Sequence, residues 1–226
     1  MIRAVLFDLD GTLLDTAPDL AASLNHVRAL EHLPPVPEQE LKYAVARGAM
    51  GLIEAGMPTA PADLQEKRKE QLLKHYAAHS TQQTCLFPGA GHVLDALDAG
   101  GLRWGIVTNK AERLTLPIVK RLGLAARCGC IVCGDTLSVS KPDPAPVRLA
   151  CDLLGVDVTQ TCMVGDDARD LEAARAAGVT PVFAAWGYAP PQFNAEEAGA
   201  SYVVERPEDV LVILSDAVLI GGMSGA

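Results

Sequence analysis

The chain has 226 residues, 49% of them hydrophobic and only 4% aromatic, with a formal net charge of −9 at pH 7. Such a length suffices for one large core or two unequal domains filled by aliphatic side chains, while the acidic balance argues against nucleic acid or an anionic membrane as a partner. An anionic substrate would need local positive charge or a bound metal.

In chain order, the segment Met1–Phe7 is too short for a secretory signal. The late apolar stretch Val210–Ile220, interrupted by Ser215 and Asp216, is too short to span a bilayer. The expectation is a cytoplasmic protein. Ala4–Phe7 is a short apolar run that ends abruptly at Asp8-Leu9-Asp10-Gly11-Thr12. It predicts a strand buried in a parallel sheet, with both aspartates emerging at its carboxyl end, where open α/β sheets place their chemistry. Alternation along an extended chain sends Asp8 and Asp10 the same way. Two carboxylates ~4 Å apart repel by roughly 4 kcal/mol at an effective dielectric of ~20, a cost that a cation or a bound proton removes.

Residues 16 to about 83 are rich in Ala, Leu, Glu, Lys and Gln, and Pro34, Pro35, Pro37, Pro58 and Pro61 divide them into about four helices. Beyond Leu86, strands are predicted at Arg103–Thr108, Cys130–Cys133, Thr161–Gly165, Thr180–Ala184 and Tyr202–Val204, with helices at 111–122, 145–154 and 171–177 between them. This alternation predicts an α/β fold, a doubly wound parallel sheet of Rossmann-like type with helices on both faces. The helical block after the first strand reads as an inserted four-helix cap subdomain. The core is then 1–15 and 86–226 and the cap 16–85, joined by linkers near Asp15–Asp19 and Cys85–Gly89 that let the cap close. Gly221–Ala226 reads as a frayed tail.

Three further polar clusters follow strands: Thr108-Asn109-Lys110, Lys141-Pro142-Asp143-Pro144 and Gly165-Asp166-Asp167-Ala168-Arg169-Asp170. Together with the first pair they bring acids, a hydroxyl and a lysine to one rim, a set suited to a divalent hard cation and a phosphate. Cys128, Cys130 and Cys133 are read as reduced thiols packed as small hydrophobes, not as a metal clip. His26, His32, His75, His79 and His92 show no metal-ligand spacing.

Asp-x-Asp-Gly-Thr, a later Thr-Asn, a Lys-Pro and Gly-Asp-Asp-x-x-Asp in this order resemble the haloacid dehalogenase-like phosphatases over nearly the whole chain. The helical insert is similar to the cap of the phosphoglycolate phosphatase-like branch. Gly165-Asp-Asp-Ala-Arg-Asp170 with Trp186-Gly-Tyr188 is similar to N-acetylmuramic acid 6-phosphate phosphatases. The resemblance implies a Mg²⁺ cofactor and hydrolysis of a small phosphorylated metabolite, 2-phosphoglycolate or N-acetylmuramate 6-phosphate, through an aspartyl-phosphate. It implies Asp8 as nucleophile, and Asp10 as general acid and then base. Mg²⁺ would be held by Asp8, the Asp10 carbonyl and Asp166, with Asp167 and Asp170 in support. Thr108 and Lys141 would bind phosphoryl oxygens, and Gly11 and Thr12 would offer backbone amides to phosphate.

Asn109 is read as a phosphate contact or a helix start, and Asp15 as a support for the first loop. Lys141 is preferred to Lys110 as the phosphate lysine. In the cap, Arg47-Gly48 is expected to dip towards the catalytic rim, where Arg47 would read a substrate carboxylate. The competing reading of Arg47 is a helix-end arginine complementing a dipole. Two other functions stay open: a sugar phosphomutase using the same aspartyl-phosphate, and a phospho-receiver signalling domain. A monomer or a homodimer is expected.

Overall fold

The structure, a computed structural model, describes residues 1–214; the expectations for Gly221–Ala226, and for Val210–Ile220 beyond Leu214, lie outside these residues. β1 (Ala4–Phe7) is buried along its whole length, as an unbroken apolar run requires in a sheet covered on both faces. β2 (Leu14–Asp15) leads into α1 (Ala17–Leu30), α2 (Glu38–Val45), α3 (Gly48–Gly56) and α4 (Ala62–His79), and the chain returns through β3 (Cys85–Leu86). There follow α5 (Ala90–Ala99), β4 (Arg103–Val107), α6 (Glu112–Arg121), β5 (Cys130–Val132) and α7 (Ala145–Leu154). β6 (Thr161–Gly165), α8 (Ala168–Ala177), β7 (Thr180–Ala184) and β8 (Tyr202–Val204) come next, and residues 209–214 are helical.

The six-stranded sheet runs β5-β4-β1-β6-β7-β8 with every neighbouring pair parallel. Strand order reverses at β1, so the carboxyl ends of β1, β4 and β6 meet at a topological switch point. Alternation along β1 serves both faces. Val5 and Phe7 pack with Val93, Leu97 and Ile118 on one side, and Ala4 and Leu6 with Val147, Ala150 and Ala173 on the other. Register then levels the functional loops: Phe7 pairs with Ile106 and with Val164, so Asp8 stands between the ends of β4 and β6.

Two features differ from the sequence-based expectation. α8 starts at Ala168 and not at 171, because Asp167 caps it and the Asp170 carboxylate accepts a hydrogen bond from the Asp167 amide, a reciprocal capping box. The linkers also form a small antiparallel ribbon, with Leu14 opposite Leu86 and Asp15 opposite Cys85. Buried Asp19, in the first turn of α1, closes the same junction by accepting from the amides of Gln82, Gln83 and Thr84 and from the Thr84 hydroxyl. The two ends of the helical insert are thus tied to each other beside the sheet. Within the insert, Arg68 on α4 forks both carboxylate oxygens of Glu31 at 2.7 and 2.5 Å.

All six cysteines are free thiols, with Cys130 and Cys133 buried. Among the described residues no helix is long and apolar enough to cross a membrane.

Candidate active site

Asp8 follows β1 directly, and its amide donates to the Val164 carbonyl at 2.9 Å. Its Oδ1 accepts from Lys141 Nζ at 2.7 Å. The same ammonium donates to Asp170 Oδ1 and to the Val107 carbonyl, each at 2.6 Å. Lys141 is only 3% exposed. Burial works against its charge, but Asp170 and Asp8 together outweigh that and hold its pKa above the ordinary value. Asn109 fixes the loop that delivers it: the Asn109 side-chain amide donates to the Lys141 carbonyl at 2.8 Å and accepts from the Lys141 amide at 3.0 Å. Both ends of the Asn109 amide therefore serve the lysine loop.

Asp166 enters from the end of β6. The Thr12 hydroxyl donates to Oδ1 and the Tyr188 amide to Oδ2, both at 2.8 Å. Glycines bring these partners close: a Cβ on Gly11, which has φ +87°, would lie 2.3 Å from Asp166 Oδ2, and one on Gly187 would lie 2.2 Å from Asp166 Cβ. Trp186 Nε1 donates to the Thr12 carbonyl. The Tyr188 hydroxyl accepts from the amides of Thr16 and Ala17 and donates to Asp15. The Trp186-Gly-Tyr188 segment thus braces Asp166, the first loop and the start of the cap at once.

Asp8, Asp166 and Asp170 each place a carboxylate oxygen within 4.8 Å of the others, all buried. One ammonium, that of Lys141, stands against these three acids. Burial pushes Asp8 up to about 7, against the pull of Lys141 and with the repulsion of Asp170. Burial, then Asp8 and Asp170, drive Asp166 well above the carboxylate range. Crowded, desolvated oxygen donors of this kind fit a hard divalent cation. Asp170 accepts from Lys141 and from the Asp167 amide, Asp166 accepts one bond on each oxygen, and Asp8 accepts from Lys141 on Oδ1 alone.

Asp10 and Thr108 line the same cavity of about 310 Å³ between sheet rim and cap. Both carboxylate oxygens of Asp10 accept from Lys110 Nζ, at 2.9 and 3.2 Å. Lys110 also donates to the hydroxyl of Tyr76 on α4 at 2.9 Å. Burial pushes the Tyr76 phenol up to about 12, Lys110 notwithstanding, so the hydroxyl stays neutral and accepts. Opposite, Arg169 pairs with Asp167 at 2.7 Å and reaches across to the Ala46 carbonyl of the cap. Leu20, Val45, Ala49 and Leu73 give the cap side of the cavity an apolar wall.

Several expected residues stand away from the cavity. Gly11 and Thr12 do not line the cavity, and their amides are consumed within the turn by the carbonyls of Leu14 and Leu9; Thr12 serves Asp166. Arg47 also lies outside the cavity. Its guanidinium is exposed and turned to Glu54 at 3.6 Å and the Gly51 carbonyl, while Gly48 does line the wall. Arg113, on the first turn of α6, lines the cavity instead. Tyr76 and Arg113 line the cavity without any expectation of it, and Lys110, weighed as a phosphate contact or a helix start, holds Asp10. The one signal for Lys110 was its place beside Thr108-Asn109, and nothing local marks Tyr76 within a helix.

The sequence matches the haloacid dehalogenase-like hydrolase family over residues 5–184. It is 40% identical over 219 residues to an N-acetylmuramic acid 6-phosphate phosphatase of Pseudomonas aeruginosa, covering 96% of each chain. It is 42% identical over 205 residues to a phosphoglycolate phosphatase of Xanthomonas campestris, covering 91% of this chain and 93% of that one. The fold superposes with a TM-score of 0.83 on the crystal structure of a predicted phosphoglycolate phosphatase from Haemophilus somnus, at 27% identity, covering 94% of this chain and 98% of the other. An aspartate pair after the first strand, a buried lysine beneath it, an acidic loop after β6 and a match over most of the length converge: this chain belongs to the haloacid dehalogenase-like hydrolases.

Proposed function

We propose that the protein is a Mg²⁺-dependent phosphomonoesterase that works through a phosphoryl group carried on Asp8, and that its substrates are small metabolites bearing a carboxylate as well as the phosphate. The observation that carries this reading is Asp8 itself. One oxygen is fixed by Lys141, and the residue faces the cavity beside a second acid, Asp10. Oδ2 of Asp8 attacks phosphorus as the ester P–O bond breaks, and Asp10 gives its proton to the departing oxygen. Water then attacks phosphorus, Asp10 takes its proton, and the bond to Asp8 breaks to release inorganic phosphate. The Thr108 hydroxyl donates to a phosphoryl oxygen, and the Lys141 ammonium, its three N–H groups already on Asp8, Asp170 and the Val107 carbonyl, stabilises the transition state through its charge. Mg²⁺, held by Asp8, Asp166 and the Asp10 carbonyl, would supply the charge that keeps Asp8 ionised and draws the phosphate in.

Both named substrates of the relatives, 2-phosphoglycolate and N-acetylmuramate 6-phosphate, pair a phosphate with a carboxylate, and they are the two to test. Phosphate release with Mg²⁺ from either, by kcat/KM, supports the reading. Absence of release from both, with turnover only when a sugar bisphosphate is added, would reassign the protein as a mutase. Arg113 is the proposed reader of the carboxylate. Lys110, Lys141 and Arg169 each have an aspartate partner, whereas Arg113 has none among the described residues. A charge-assisted hydrogen bond is worth about 1.5–3 kcal/mol. Arg113→Met accordingly raises KM for the preferred substrate by ~10–100-fold with kcat within ~3-fold, and leaves a carboxylate-free ester unaffected; equal losses on both esters would remove Arg113 from this role.

The Mg²⁺ requirement carries a pH signature. In the metal-free folded protein Asp8 titrates at about 7 against 3.8 ordinarily. The folded state therefore holds an extra proton between those values, and stability falls as pH rises through that window. Mg²⁺ needs the ionised carboxylate, so its gain in Tm is larger at about pH 8 than at about pH 5. Thermal melts with and without Mg²⁺ test this, and an increment independent of pH would take Asp8 out of the metal site.

A further inference from the structure

We infer that Lys110 is a positioning residue for Asp10, anchored through Tyr76 to the cap, so that the orientation of the acid/base in the core is set partly by helix α4. This rests on the phosphatase reading above. All three N–H donors of the Lys110 ammonium have acceptors: Asp10 Oδ1, Asp10 Oδ2 and the Tyr76 hydroxyl. Nothing remains with which to hold a phosphate, although the residue directly follows Thr108 and Asn109. The ammonium also lies 4.5 Å from the centroid of the Tyr76 ring, a cation–π contact that adds a second attachment to the cap. Lys110 is only 7% exposed along its side chain, and Tyr76 is fully buried.

The consequence is geometric. With both oxygens on one ammonium, the carboxylate plane of Asp10 is fixed, and the ammonium is fixed in turn by a side chain 34 residues away in sequence, on α4. The core alone does not supply this anchor. A displacement of α4 moves the Tyr76 hydroxyl and ring, then Lys110, then Asp10. General acid and base catalysis contributes about 10²–10⁴-fold, and small errors in placement forfeit much of it.

Three variants, Lys110→Met, Tyr76→Phe and the double substitution, test the strap with two kinds of ester. The first is whichever of 2-phosphoglycolate and N-acetylmuramate 6-phosphate the wild type turns over faster; the second is p-nitrophenyl phosphate. Lys110→Met lowers kcat on the alkyl ester by ~100-fold with KM within ~3-fold. On p-nitrophenyl phosphate the leaving group needs no proton, so the first turnover keeps its rate while hydrolysis of the phosphorylated Asp8 slows. The variant then shows a burst of one p-nitrophenolate per site that the wild type lacks. Tyr76→Phe, which keeps the ring, costs ~3–10-fold in kcat, and the double variant is no slower than Lys110→Met, because the hydroxyl acts through the lysine.

A raised KM with kcat intact would make Lys110 a substrate ligand and overturn the inference. Equal slowing of the burst and the steady state, or additive losses in the double variant, would reduce it to general packing. A wild type inert towards every ester would overturn the phosphatase reading itself, and the inference with it.

Discussion

Asp8→Asn lowers kcat by at least ~10⁴-fold, the scale seen when a covalent nucleophile is removed, and it does so in a protein that melts no lower than the wild type without metal. The amide has the shape of the carboxylate, and its oxygen still accepts from Lys141, which keeps its bonds to Asp170 and Val107. It has no negative oxygen with which to attack phosphorus. The stability half of the prediction follows from the environment of Asp8. Burial and the neighbouring Asp170 raise its pKa to about 7 despite Lys141, so at about pH 8 the folded state carries a charge that it disfavours relative to the unfolded chain. A neutral isostere removes that burden.

Addition of Mg²⁺ then reverses the order, because only the wild type regains a ligand for the cation. Two melts and one assay decide the matter. Turnover above ~1% of wild type in well-folded Asp8→Asn would exclude Asp8 as the nucleophile, and a melting order unchanged by Mg²⁺ would exclude it as a ligand.

What could be read from the sequence depended on how local the cause was. The central strand was legible because four apolar residues before Asp8 leave little alternative to a doubly covered parallel strand. Asp8, Lys141 and Asp166 were legible for a related reason: each ends or follows a strand, and parallel topology carries such ends to one rim. The helices of the insert were legible through their proline boundaries, whereas the β2–β3 ribbon was not, since a two-residue strand has no periodicity to detect.

Side-chain direction was the other limit. Arg47 sits in the segment between helices where an inward turn was expected, yet its guanidinium finds Glu54 seven residues on, within its own helix neighbourhood. Thr12 belongs to a motif that suggests phosphate contact, but its hydroxyl meets Asp166, 154 residues away. Partnerships of that span are properties of packing, and no single-sequence pattern encodes them. The Trp186-Gly-Tyr188 motif carries a likeness to other proteins, and its physical reason, the bracing of Asp166 and Thr12, lies in contacts between segments far apart in the chain.

Lys141→Met gives the opposite stability result from Asp8→Asn, although the two residues share one hydrogen bond. The substitution leaves Asp8, Asp166 and Asp170 within 4.8 Å of one another with no cation among them, and it strips the Val107 carbonyl of the donor it has at 2.6 Å. Breaking a buried pair by removing one partner costs ~3–5 kcal/mol, which in a domain of this size lowers Tm by ~6–20 °C at about pH 8. The deficit shrinks with acid, because protonation of Asp8 and Asp166 relieves the repulsion, and it shrinks with Mg²⁺ for the same electrostatic reason. Turnover falls as well, by ~10²–10³-fold in kcat, since a preorganised cation opposite the phosphoryl oxygens is lost. Arginine does not restore it: a planar fork cannot occupy a site shaped around one ammonium with three converging acceptors. If the site were balanced in charge, loss of either partner would cost about the same. Asp8→Asn without a penalty beside Lys141→Met with a large one is the result expected only of a pocket built with excess negative charge, which is what a divalent cation needs in order to bind there.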